Sequence, residues 1–159
     1  MKWIMPIEPK GAKRPRLTPK ATLVSMDKVY RDWREEANMW VDDWLKKTNG
    51  AILRELLGKG NTSTRDEKNR IRNDYAGIIV NLEFVLPRPS DKIWRAFPID
   101  THTYDLDNYE KSVIDCYFEH PAFIAAHLND RYIQQISAIK RYTMDGEETH
   151  IGIEMKPIE

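Results

Sequence analysis

Asp105 and Asp107 are the two residues of this chain best spaced for chemistry. They stand two apart, with Leu106 between them. In extended backbone such a pair projects to one side, while the residue between points to the other, here into the core. A helical pattern begins at or just after Asp107. Lys111 follows Asp107 by four and Asp115 follows Lys111 by four, so the three share one helical face. Carboxylates converging at a helix N-terminus suit a hard cation with oxygen ligands. Mg²⁺ fits, because it takes only a few carboxylates and leaves its other positions to water and phosphate. A third carboxylate has to come from elsewhere in the chain, and Asp130, at the start of the next strand, is the natural donor. The same residues also have a reading without metal. Asp107 and Glu110 have capping-box spacing, and Lys111 with Asp115 is an ordinary helix ion pair worth about 0.3–0.5 kcal/mol.

These side chains have to be positioned by a chain of 159 residues and 18.7 kDa, the size of one domain with its own core. No apolar run approaches the ~20 residues of a membrane span. Met1-Lys2-Trp3-Ile4-Met5-Pro6 has no apolar segment of the signal-peptide kind. A lone cysteine, Cys116, excludes an internal disulfide framework and a cysteine-rich zinc site. Together these features point to a reducing cytoplasm. His102, His120, His127 and His150 form no metal-spaced set. Lys+Arg and Asp+Glu balance at 25 each, but unevenly along the chain. Residues 1–20 hold Lys2, Lys10, Lys13, Arg14, Arg16 and Lys20 against Glu8 alone. Such a segment is either a nucleic-acid contact or a solvated tail.

The elements follow from periodicity. Residues 2–7 form a strand pattern, and 10–22, with Gly11, Pro15 and Pro19, a loop. Ser25 is placed as an N-cap. Met26, Val29, Tyr30, Trp33, Ala37, Trp40, Val41 and Trp44 then recur at helical steps to about Lys47, with Asn49-Gly50 as the stop. The tryptophans on this stripe are expected in the core. Residues 51–57 form a short helix, and 61–74 a charged loop or short exposed helix. Alternation over 78–86 marks a strand that stops at Pro87-Arg88-Pro89. Residues 90–104 read as loop and 108–118 as helix, with Tyr109, Val113, Cys116 and Tyr117 on one side. Residues 131–142 and 149–158 are strands joined across Asp145-Gly146, a hairpin signal. The expected fold is α+β: a small, mostly antiparallel or mixed sheet with a long helix and a shorter, motif-bearing helix packed on it.

Asp105-Leu106-Asp107-Asn108, with Lys111 and Asp115 at four-residue steps, resembles the signature of RusA-type Holliday junction resolvases. Asn129-Asp130 leads into a strand followed by Lys140, similar to that family's acidic pair. Pro9-Lys10-Gly11-Ala12-Lys13-Arg14-Pro15-Arg16 resembles its basic segment after the first strand. The order of parts agrees over nearly the whole chain, outside 49–74, which looks like a charged insertion, there either to extend a DNA surface through Arg65, Lys68, Arg70 and Arg72 or to contribute to a dimer. Tyr104 and Asn129 stand where the family has Pro and Asp. The resemblance implies a homodimeric, Mg²⁺-dependent endodeoxyribonuclease, with Mn²⁺ as a substitute ion. It would cut four-way junctions in paired strands during recombination and repair, in a bacterial or phage-infected cell. Asp105, Asp107 and Asp130 would bind the metal. Lys111 would assist at the phosphate, and Asp115 would support the site or hold Lys111. Lys10, Lys13, Arg14 and Arg16 would contact DNA phosphates, joined more weakly by Lys140 and Arg141. The alternative is a non-catalytic branched-DNA-binding accessory protein descended from that family.

Overall fold

The computed structural model describes residues 1–12, 27–57, 64–65, 71–72, 77–90, 97–99 and 103–158. Lys13, Arg14 and Arg16, with Lys68, Arg70 and His102, lie outside them, as does Ser25. A four-stranded sheet in the order β1-β6-β4-β5 forms one layer. Its strands are β1 (Lys2–Met5), β4 (Ile78–Leu86), β5 (Ile133–Tyr142) and β6 (His150–Pro157). Helices α1 (Lys28–Lys47), α2 (Ala51–Leu57), α3 (Leu106–Phe118) and α4 (Pro121–Ala125) complete the described helical elements, with a 3₁₀ turn at Asp130–Tyr132. The fold is a small α+β domain with a mixed sheet, as the periodicities predict.

Alternation fixes which face of the sheet is covered. Val80, Leu82 and Phe84 of β4, Ile151, Ile153 and Met155 of β6, and Trp3 and Met5 of β1 are buried. They meet the apolar sides of α1 (Tyr30, Trp33, Ala37, Val41, Leu45) and α3 (Tyr109, Val113, Cys116, Tyr117). The opposite face of the sheet carries Ile4, Asn81, Glu83, Ser137 and Ile139, exposed or half-buried. The tryptophans pack as a core. Trp3 stacks on Trp44 at 4.5 Å and Trp40 on Trp44 at 6.0 Å, and the Trp3 indole N–H donates to the Tyr117 hydroxyl at 2.8 Å. Val29, counted on the apolar stripe, is instead 56% exposed. Burial pushes the Cys116 thiol up to about 12, which keeps it protonated and inert.

Three expectations change. The N-cap of α1 is Asp27, whose carboxylate accepts from the Val29 N–H at 3.1 Å. Helix α2, expected over 51–57, buries Ile52 and Leu56 in the core beside β6. The stretch 61–74 contains a two-stranded antiparallel ladder, β2 (Thr64–Arg65) with β3 (Ile71–Arg72), in place of a loop or helix. Finally, the strands flanking Asp145-Gly146 do not pair. β4 lies between them, antiparallel to β6 and parallel to β5. The connection from β4 to β5 passes through α3, and a helical crossover delivers a parallel neighbour. Arg141 secures the β5–β6 link instead. It donates to Glu83 at 2.6 Å and in a fork to Glu147 at 2.7 Å, and Glu147 also accepts the Met144 N–H. These bonds hold the Glu147 carboxyl down at about 2.

Candidate functional site

Asp105 and Asp107 come together on one helical turn rather than on a strand. Asp105 is the N-cap of α3, extended at φ −62° and ψ 152°, and its side chain makes no capping hydrogen bond. Asp107 lies inside the first turn, so the Asp107–Glu110 capping box does not form. Both aspartates are exposed, while Leu106 between them packs against the core. Burial, then the nearby Asp107 carboxylate, raises the pKa of Glu110.

Tyr104 anchors this turn. Its carbonyl accepts from Lys140 Nζ at 2.9 Å, and its ring meets that of Tyr109 edge-on at 5.5 Å. Tyr109 in turn packs on Phe84 of the central strand at 5.2 Å. The N-terminal segment crosses directly over Tyr104. The Ala12 N–H bonds the Asn108 carbonyl at 2.9 Å. A Cβ added at Gly11 would lie 2.4 Å from the Tyr104 ring. The basic segment of the sequence thus departs from the acidic turn itself. Gly11→Ala is expected to force this strap off Tyr104 and cost about 1–3 kcal/mol in urea denaturation. A change within about 0.5 kcal/mol, normal for a surface site, would contradict the contact.

A cleft of about 290 Å³ opens beside the strap, lined by Glu8, Lys10, Pro87, Arg88, Tyr104 and Tyr142 among others. Lys10 pairs with Glu8 at 3.1 Å and Arg88 with Asp145 at 3.0 Å. Both pairs lie at the surface, where such pairs are weak.

The other site residues are distributed as follows. Lys111 pairs with Asp115 at 2.8 Å, and this partner raises its pKa. The Asp115 carbonyl also accepts from Arg34 of α1 at 2.7 Å. Lys140 is a positioning residue for Tyr104. Arg141 shares the face of the sheet that carries Glu83, and is tied to two carboxylates. Neither was legible as such, because Tyr104, the partner of Lys140, and Glu83, one partner of Arg141, are distant in sequence. Asn129 caps the 3₁₀ turn through the Arg131 N–H at 3.0 Å.

Asp130 stands apart. β5 starts beside Ile78 and ends beside Leu86. Lys140, near its end, holds Tyr104, whereas Asp130 precedes its start. At ~3.3 Å per residue, Ile133 and Lys140 lie roughly 23 Å apart along the strand. Among the described residues no group of three His, Cys, Asp or Glu side chains is placed to hold a metal ion. The Asp105–Asp107 pair alone still fits Mg²⁺, which is commonly bound through one or two carboxylates plus water and phosphate. Among the described residues, no helix is long and apolar enough to cross a membrane. No protein-family model matches the chain, and no curated protein is significantly similar to it.

Proposed function

We propose that the chain is a Mg²⁺-dependent endodeoxyribonuclease that cuts branched DNA, with the four-way junction as its substrate, in the cytoplasm of a bacterial or phage-infected cell. The observation that carries the reading is the strap. A basic N-terminal segment is hydrogen-bonded to the turn that presents Asp105 and Asp107. Phosphates gathered by Lys10 and the basic residues after it would therefore be delivered to two exposed carboxylates. Asp105 and Asp107 would hold the ion, which when bound polarises the scissile phosphate and makes its water acidic. Lys111, exposed on the same helix, would reach a phosphate by leaving Asp115. Lys140 acts indirectly, by fixing Tyr104 and so the start of α3.

The test is cleavage of synthetic four-way junctions, three-way branches, flaps and linear duplex in Mg²⁺, Mn²⁺ or EDTA. Symmetric paired nicks in the four-way junction, abolished by EDTA, are expected. A second reading, a branched-DNA-binding accessory protein without catalysis, is favoured by the separation of Asp130 from the acidic turn. Tight junction binding without cutting in either ion would select it.

A further inference from the structure

Helices α1 and α3 meet along rows of residues at four-residue steps. Tyr30, Arg34 and Asn38 lie along α1, and Lys111, Asp115 and Glu119 along α3 and its C-cap. Arg34 joins the rows. It donates to the Asp115 carbonyl at 2.7 Å, the Glu119 carboxylate at 2.8 Å and the Asn38 side-chain oxygen at 3.2 Å. Lys111 pairs with the Asp115 carboxylate at 2.8 Å. One group in this seam is left over. The Tyr30 hydroxyl is buried and, among the described residues, has no hydrogen-bond partner. A buried polar group in that state costs stability and calls for a reason.

The charges around it supply one. Arg34, Asp115 and Lys111 all act on the hydroxyl, Arg34 most strongly. Arg34 and Lys111 are donors only, so of these groups Asp115 alone can accept from the Tyr30 O–H. Burial raises the pKa of Tyr30, which keeps it a neutral donor. At rest the carboxylate is held by Lys111 instead. The Lys111 side chain is 60% exposed and that of Asp115 17%. The ammonium is thus free to swing outward, but it would leave a largely covered carboxylate without its cation, which is costly.

We propose that Tyr30 is a positioning residue for Lys111: when the ammonium leaves, the Tyr30 hydroxyl donates to the Asp115 carboxylate in its place. The exchange swaps one hydrogen bond for another and transfers no proton. A bond to an ionised acceptor is among the stronger kind, so it offsets part of the cost of release. The hydroxyl stands unpartnered at rest because its acceptor is already engaged. Delivery of the freed ammonium to a phosphate rests on the nuclease reading; the handover does not.

Two sets of measurements separate them. Equilibrium urea denaturation compares wild type, Tyr30→Phe, Lys111→Met and the double variant. In the wild-type chain Tyr30→Phe is expected to leave the folded-to-unfolded ratio within about threefold, since the hydroxyl has no bond to lose. In the Lys111→Met chain, where the ammonium is gone for good, the same change should lower that ratio about tenfold. Equal effects in the two backgrounds overturn the handover. Single-turnover nicking of a four-way junction in Mg²⁺ tests its use. Tyr30→Phe should nick about tenfold more slowly at saturating protein, with junction affinity in Ca²⁺ within about threefold of wild type. In an Asp115→Asn chain it should slow nicking no further, because the carboxylate to be satisfied is gone. Tyr30→Phe protein that nicks at the wild-type rate overturns the positioning role. A wild type that nicks nothing overturns the nuclease reading, and the denaturation cycle still decides the handover.

Discussion

Asp107→Asn protein should bind a four-way junction within about threefold of wild type and nick it about a thousandfold more slowly. The substitution keeps size and shape and removes one charge. Its structural cost is small, because a first-turn carboxylate contributes about 0.3–1 kcal/mol through the helix dipole. The chemical cost is large. An ion at a scissile phosphate contributes several kcal/mol to the transition state, and each 1.36 kcal/mol is tenfold in rate. Loss of a ligand charge therefore acts on cutting, whereas phosphate contacts from Lys10 and its neighbours sustain binding. Single-turnover nicking in saturating protein, with affinity measured in Ca²⁺ or EDTA, checks the split. Cutting within threefold of wild type would remove Asp107 from the site.

Trp3→Ala is expected to lose about 3–5 kcal/mol of stability, roughly 6–20 °C in Tm for a chain of this size. Trp3 joins β1 to the helical layer through its stack on Trp44, its edge contact with Tyr117 at 5.7 Å and its hydrogen bond to the Tyr117 hydroxyl. Truncation opens a cavity between the layers and leaves that buried hydroxyl without its donor. Tyr117→Phe tests the polar part alone and should cost about 1–3 kcal/mol. Equilibrium urea denaturation of the two variants checks both values. A loss below about 1 kcal/mol for Trp3→Ala would mean that this cluster is not part of the core.

Local signals in the sequence proved reliable where one element's own period decided the answer. The alternation from Ile78 to Phe84 and the helical stripe through Trp33, Ala37 and Val41 both match the buried faces, although Val85, expected on the other face, is buried as well. Asn49 and Gly50 adopt positive φ, as the stop signal implies. Errors arose where a choice depended on distant chain. Asp145-Gly146 has turn chemistry whichever strands flank it, and nothing local says that β4 enters between them. An N-cap residue is extended, so Asp105 resembled a strand residue until the helix was seen to begin at Leu106. The position of Asp130 is set by the parallel direction of β5, which spacing along the sequence does not encode. The clamp on Tyr104 was equally hidden, since Gly11 and Lys140 reach it from opposite ends of the chain.

That clamp also governs when the acidic turn becomes competent. Tyr104 is held by a donor 36 residues away and by a strap from the extreme start of the sequence. Such long loops close late, because their entropy is lost before their contacts repay it. Amide exchange at residues 104–108 should then track undocking of the N-terminal strand rather than fraying of α3, making the start of the chain a latch on the turn.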